Sequence, residues 1–247
     1  MISPVGSRPR GIYLLPNLLT TAALFAGFYA IVATFKGRFE IAAIAIFIAM
    51  IADTLDGRIA RLTNTQSAFG AEYDSLSDMV SFGIAPALLG FNWGLATLGN
   101  IGWFLAFLYS AATALRLARF NTQLGVADKR YFQGLPCPAA AAIVSSFIWV
   151  IQDNHWPANK LLIGLFAILI TCTAILMVSR VRFHSFKQFN WHERVPFVSL
   201  LALVLIFAFI LLDPSDVLFV VFLLFGFSGP VLTLWNLRKR RLARKHK

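Results

Sequence analysis

The chain has 247 residues, is 58% hydrophobic, carries charge on 13% of its positions and has a net charge of +11. A soluble domain is roughly 25% charged, so this composition excludes a water-soluble globular protein. Two cysteines, Cys137 and Cys172, lie within or beside apolar segments and suggest neither a disulfide framework nor a paired-cysteine metal site. About 20 apolar residues cross a bilayer, and eight apolar windows follow one another, near 15–35, 41–62, 71–91, 98–120, 138–151, 161–178, 196–212 and 217–237, the fifth being the shortest. The fold class is therefore all-α, a polytopic membrane protein of about eight transmembrane helices.

The first window is a full span without a small-residue cleavage site, so it does not read as a cleavable signal peptide. With the N-terminus inside, 19 of the 22 Lys and Arg residues fall on the inner side, and only Lys36, Arg38 and Lys160 fall outside. That bias sets the orientation, with both termini in the cytoplasm and the chain in the cell (inner) membrane.

The second and third spans hold the informative stretch, "IADTLDGRIARLTNTQSAFGAEYDSLSD", from Ile51 to Asp78. A charge at membrane depth is costly and marks function. Twelve residues of helix at 1.5 Å each advance about 18 Å, whereas the hydrocarbon core is roughly 30 Å thick. Asp53 is thus expected inside the bilayer, facing the bundle interior. Asp53, Asp56, Gly57, Ala60 and Arg61 share one helical face, and Gly70, Asp74 and Asp78 repeat every fourth residue on the next helix. Two adjacent antiparallel helices then aim four carboxylates at one volume. Left alone these would repel; hard divalent cations such as Mg²⁺, Mn²⁺ or Ca²⁺ suit oxygen ligands and relieve the repulsion. Two nearby arginines, Arg58 and Arg61, do not balance four aspartates as buried salt bridges. Gly57 and Gly70 leave room for a ligand or for close helix packing. Arg61 supplies a planar cation suited to phosphate.

Further along, "RLARFN" places Arg116 and Arg119 at a cytoplasmic helix end, where arginines commonly snorkel. "GLPCP" reads as a helix break. The four histidines lie at loops or in the tail and are given no chemistry. The tail "RKRRLARKHK" reads as a cytoplasmic anchor attracted to anionic lipid rather than as a nucleic-acid patch.

The pattern D-x2-D-G-x2-A-R-x8-G-x3-D-x3-D, here Asp53, Asp56, Gly57, Ala60, Arg61, Gly70, Asp74 and Asp78, resembles the signature of the CDP-alcohol phosphotransferase family at all eight positions. The resemblance implies a single integral-membrane domain over residues 1–247, with a six-helix core at about 12–180, two extra helices at about 196–237 and a basic tail at 238–247. "YDSLSDMVSFGIAPA", "RLARFN", "FQGLPCPAAA", "MVSRVRFHSFK" and "SGP" resemble the phosphatidylserine synthase branch of that family.

What the resemblance implies is transfer of a phosphatidyl group from CDP-diacylglycerol to the hydroxyl of L-serine, with release of CMP. Asp53, Asp56, Asp74 and Asp78 would be metal ligands for Mg²⁺ or Mn²⁺, two ions per site, and Asp78 also the catalytic base. Gly57, Ala60, Arg61, Ser67 and Gly70 would hold the CDP-diacylglycerol. Asn17 and Thr20, in "PNLLT", would either close the nucleotide pocket or serve as helix-start capping residues. Arg116, Arg119 and Arg182 are candidates for the serine carboxylate. A homodimer is a family-level expectation, and no nucleic-acid partner is expected. Two rival readings stay open: the same chemistry with glycerol 3-phosphate, inositol phosphate or choline as acceptor, and a cation-coupled transporter. Arg61 beside the carboxylates and the lack of paired interrupted helices in repeated halves weigh against a transporter.

Overall fold

A computed structural model describes residues 14–122, 131–179, 181–184, 209 and 211–245. The described chain is helical apart from one short ribbon. In order come α1 (Leu14–Phe35), α2 (Phe39–Leu62), α3 (Ala68–Asp78), a π-helical turn (Met79–Ile84), α4 (Ala85–Trp93), a 3₁₀ turn (Leu95–Leu98) and α5 (Asn100–Thr122). Strand β1 (Tyr131–Gln133), α6 (Cys137–Asp153), α7 (Lys160–Val178), β2 (Arg182–His184) and α8 (Pro214–Lys245) follow. Among the described residues, four helices are long and apolar enough to cross a membrane: Leu15–Phe35, Asn100–Thr122, Lys160–Val178 and Pro214–Thr233. Most of the expected seventh span, at 196–212, lies outside the described residues, so the expected count of eight is neither met nor refuted.

Helices α1 and α2 form a tight antiparallel pair because alanines line both faces. Ala23, Ala26, Ala30 and Ala33 of α1 are buried, as are Ala42, Ala43, Ala45 and Ala49 of α2. Small side chains let two backbones approach closely, the usual basis of helix association in lipid. The turn between them is closed by Gly37, whose φ of 69° is left-handed. Arg38 N–H donates back to Ala33 O at 2.9 Å, which satisfies carbonyls at the end of α1.

Helix α6 is the shortest expected span and the most enclosed. Ala139 to Ser146, together with Ile148, Trp149 and Ile151, are all buried. It packs against α2, α4, α7 and α8. By contrast α5 and α7 expose Ile101, Trp103, Phe104, Phe107, Leu161, Leu165 and Ile168, apolar surface suited to hydrocarbon.

The π turn after α3 has a local cause. In an α-helix Phe82 O would accept from the amide four residues on, but that residue is Pro86, which has none. The chain widens instead, with Ala85 N–H donating to Val80 O. Tyr109 Oη on α5 donates to Phe82 O at 3.1 Å, and Ser110 Oγ donates to Gly83 O at 3.3 Å. Turns of this kind often lie beside functional sites, and this one directly follows Asp78.

The break at "GLPCP" is more than a stop. Strands β1 and β2 pair antiparallel, with Phe132 opposite Phe183. Gly134 N–H donates to Val181 O at 2.9 Å and Leu135 N–H to Leu176 O at 3.0 Å, so the segment before α6 is bound to the end of α7. Gly134 has φ 79°, and a Cβ there would run into the Met177 carbonyl. Gly134→Ala is therefore expected to destabilise the protein by more than about 1 kcal/mol, since strain and collision add. A lowered thermal midpoint in detergent checks this; an unchanged midpoint contradicts it.

Candidate active site

The four aspartates come from the end of α2 and from α3. Asp56 is only 5% exposed, while Asp53, Asp74 and Asp78 are half-buried. Carboxylate oxygens of Asp53, Asp56 and Asp74 lie within 4.8 Å of one another. Asp78 stands against Asp53, in hydrogen-bonding contact with it, but outside that three-oxygen group. The expected convergence thus holds for three carboxylates, with the fourth one turn deeper.

Helix α1 organises the cluster from the side. Thr20 Oγ1 donates to Asp56 Oδ2 at 2.7 Å and lies 3.1 Å from Pro16 O. The Thr20 carbonyl in turn accepts from Ser77 Oγ at 3.2 Å, between Asp74 and Asp78 in sequence. One turn on, Ser81 Oγ donates to Ala23 O at 3.1 Å. Gly27 makes that contact possible, because a Cβ there would overlap Ser81. Thr21 Oγ1 and Tyr73 Oη, 2.9 Å apart, complete the seam between α1 and α3.

The expected nucleotide-binding residues fall into two groups. Ser67 caps α3, its Oγ accepting from Gly70 N–H at 3.0 Å, as a serine at a helix start commonly does. Asn17 stands beside them: a Cβ on Gly70 would lie 3.6 Å from Asn17 Oδ1. On α2, the Arg61 guanidinium folds back over Gly57, 3.5 Å from where a Cβ would be. Ala60 is half-buried on the same helix, Arg61 is exposed, and Arg61 is near enough to Asp56 to act on its charge. Thr20 belongs with Asp56 rather than with Asn17.

The three expected serine-binding arginines separate. Arg119 Nη1 donates to Val178 O at 3.1 Å, where it closes the C-terminal end of α7. Arg182 lies in β2 opposite Gln133, and its side chain is outside the described residues. Arg116 points inward: Nη1 donates to Cys137 Sγ at 3.3 Å, and its Nε is buried without a hydrogen-bond partner. Asn121 links α5 to α3, accepting from Ser75 Oγ at 3.2 Å and donating to Glu72 at 3.4 Å. Sequence reasoning missed Ser77, Tyr109 and Cys137. A proline four residues after Phe82 is the one signal that could have pointed to Tyr109.

The donor set fits a hard metal ion. Its three ligand groups are all carboxylates, and Asp74 Oδ1 is buried with no hydrogen-bond partner. A buried, unmatched carboxylate oxygen is costly unless a cation completes it. Asp53, Asp56 and Asp74 therefore form an acidic cluster able to hold a metal ion.

Residues 13–179 match the family model described as CDP-alcohol phosphatidyltransferase. A Helicobacter pylori protein named CDP-diacylglycerol–serine O-phosphatidyltransferase is 38% identical over 201 residues, covering 79% of this chain and 82% of the relative. A Mycobacterium tuberculosis protein of the same name is 34% identical over 187 residues, covering 72% of this chain and 63% of the relative. A Methanocaldococcus jannaschii protein, also so named, is 40% identical over 143 residues, covering 58% and 63%.

Proposed function

Because the chain belongs to the CDP-alcohol phosphatidyltransferase family, we propose that it transfers the phosphatidyl group of CDP-diacylglycerol to the hydroxyl of L-serine, giving phosphatidylserine and CMP. The observation that carries the chemistry is the gathering of Asp53, Asp56 and Asp74 oxygens within 4.8 Å. The choice of serine is supported by the names of the similar proteins, which come from two bacteria and an archaeon.

Asp53, Asp56 and Asp74 would hold Mg²⁺ or Mn²⁺, two ions per site. Bound there, such ions would supply charge neutralisation for the pyrophosphate and for the leaving CMP. Arg61, exposed at the cytoplasmic end of α2, pairs with a donor phosphate, and Gly57 keeps the face beneath it open. Asn17, Ser67 and Gly70 line the nucleotide side. Asp78, outside the three-oxygen group, accepts the proton of the serine hydroxyl as its oxygen bonds to the β-phosphorus. The bond from that phosphorus to CMP breaks, and CMP leaves with the electron pair. A positioned base is needed because a neutral aliphatic hydroxyl is a weak nucleophile.

The site opens near the inner headgroup level of the cell membrane, a placement supported by the 19 basic residues sorted to that side. There a two-chain lipid arrives sideways while serine and CMP exchange with the cytoplasm. The charge of the tail at 238–247 suits anionic lipid rather than nucleic acid, and a homodimer is carried only as the expectation that membership of the family brings.

The acceptor is tested by supplying CDP-diacylglycerol with L-serine, glycerol 3-phosphate, inositol phosphate or choline in separate reactions. Lipid product is expected with serine; faster transfer to another alcohol overturns the assignment. Thr20 is expected to act through Asp56. Thr20→Val should raise the metal concentration for half-maximal rate by about 10–100-fold, the usual effect of losing a group that orients a metal ligand. A metal titration of CMP release checks it, and an unmoved midpoint contradicts the role given to Thr20.

A further inference from the structure

We infer that Cys137 is a positioning residue of the acceptor site, its thiol holding the Arg116 guanidinium so that the unmatched Nε–H receives the carboxylate of the amino-acid acceptor. The inference rests on the proposed transfer to serine and adds to it which arginine serves and what holds it. Four observations carry it. Cys137 is fully buried at the first turn of α6. Arg116 Nη1 donates to its sulfur at 3.3 Å. Arg116 Nε, on the same rigid guanidinium, is buried without a partner. Two contacts of α5, Asn121 with Ser75 of α3 and Tyr109 with Phe82 of the π turn, bracket Arg116 on one element and Asp78 on the other, so the arginine and the proposed base lie along the same seam.

The chemistry of serine matches that arrangement. Its hydroxyl and carboxylate are separated by only two carbons, so an acceptor whose hydroxyl reaches Asp78 must present its carboxylate close by. A guanidinium binds carboxylate through two parallel N–H donors. Holding one Nη on sulfur fixes the plane of the group and leaves Nε directed elsewhere. Sulfur is a weak acceptor, strong enough to orient the arginine without competing with a carboxylate. Arg119 does not offer this, because its Nη1 is committed to Val178 O. The backbone fixes Cys137 in turn: Gly134 and Leu135 bind the preceding segment to the end of α7.

The test is steady-state kinetics of the full-length protein with serine and CDP-diacylglycerol both varied, in wild type, Cys137→Ala, Cys137→Ser and Arg116→Gln. A hydrogen bond to a charged group contributes enough that its loss is read as roughly tenfold or more. Cys137→Ala should therefore raise the KM for serine about tenfold and leave the KM for the lipid donor where it is. Cys137→Ser, which keeps an acceptor, should restore the serine KM. In an Arg116→Gln background Cys137→Ala should add nothing further, since both act through one contact. If the alanine variant is unstable, Cys137→Val fills the volume without an acceptor and takes its place. A merely structural thiol would move both KM values together or would lower stability alone, and either result overturns the inference, as does an unchanged serine KM. Wild-type protein that forms no lipid from serine sinks the proposed function as well; normal wild-type turnover with an unmoved serine KM sinks only the role of Cys137.

Discussion

Asp53→Asn, Asp56→Asn and Asp74→Asn are each expected to abolish measurable turnover while leaving the protein folded. Each replacement keeps the shape of the side chain and removes one ligand charge from a group whose oxygens lie within 4.8 Å of one another. Metal stabilisation of transferring phosphoryl charge is worth several kcal/mol, and each 1.36 kcal/mol is tenfold in rate, so a loss of about 10³-fold or more follows. Stability should move the other way. The cluster gathers like charges around a buried, unmatched Asp74 Oδ1, and removing one charge in the absence of metal relieves repulsion. The thermal midpoint without metal should hold or rise, which separates loss of the site from loss of the fold. High Mn²⁺ or Mg²⁺ is expected to restore part of the rate in at least one variant. A variant with near-normal rate at low metal would remove that residue from the ligand set.

Asp78→Asn is the second large effect, and its signature differs. Asp78 touches Asp53 but stands outside the three-oxygen group, so the variant should still bind metal and CDP-diacylglycerol. The amide cannot accept the hydroxyl proton, and loss of a positioned base costs about 10²–10⁴-fold in kcat. Binding of donor in the presence of metal, measured beside turnover, distinguishes base from ligand: donor affinity holds while kcat falls. Unchanged kcat would show that the proton goes elsewhere, and a parallel loss of donor binding would return Asp78 to the ligands.

Much of this site was legible from spacing, because helical periodicity is rigid. Once 41–62 and 71–91 were read as helices, the intervals within Asp53, Asp56, Asp74 and Asp78 put those carboxylates on facing surfaces. The finer partition, three oxygens together and Asp78 beside them, depends on how α1 wedges against both helices through Thr20 and Ser77. No spacing rule carries that tertiary contact. Pairings distant in sequence were hidden for the same reason. The short ribbon joins Tyr131–Gln133 to Arg182–His184 across two helices, and a segment of three residues has no period to read. Arg116 and Arg119 are equivalent in sequence, three apart at one helix end. Only the position of α7 and of the first turn of α6 decides that Arg119 closes a helix terminus while Arg116 turns to Cys137. The π turn lay between these extremes, since Pro86 announces a missing donor but not the hydroxyl of Tyr109 that takes its place.

The central claim is metal-dependent transfer by this carboxylate cluster, and the most direct measurement follows both products in one reaction. Purified protein in lipid vesicles receives CDP-diacylglycerol and labelled L-serine, and CMP and phosphatidylserine are quantified together while Mg²⁺ or Mn²⁺ is titrated. The expected result is equal amounts of the two products, both absent with chelator, both restored by metal, and both lost in Asp53→Asn. CMP release without phosphatidylserine, or transfer that persists undiminished in chelator, would contradict it.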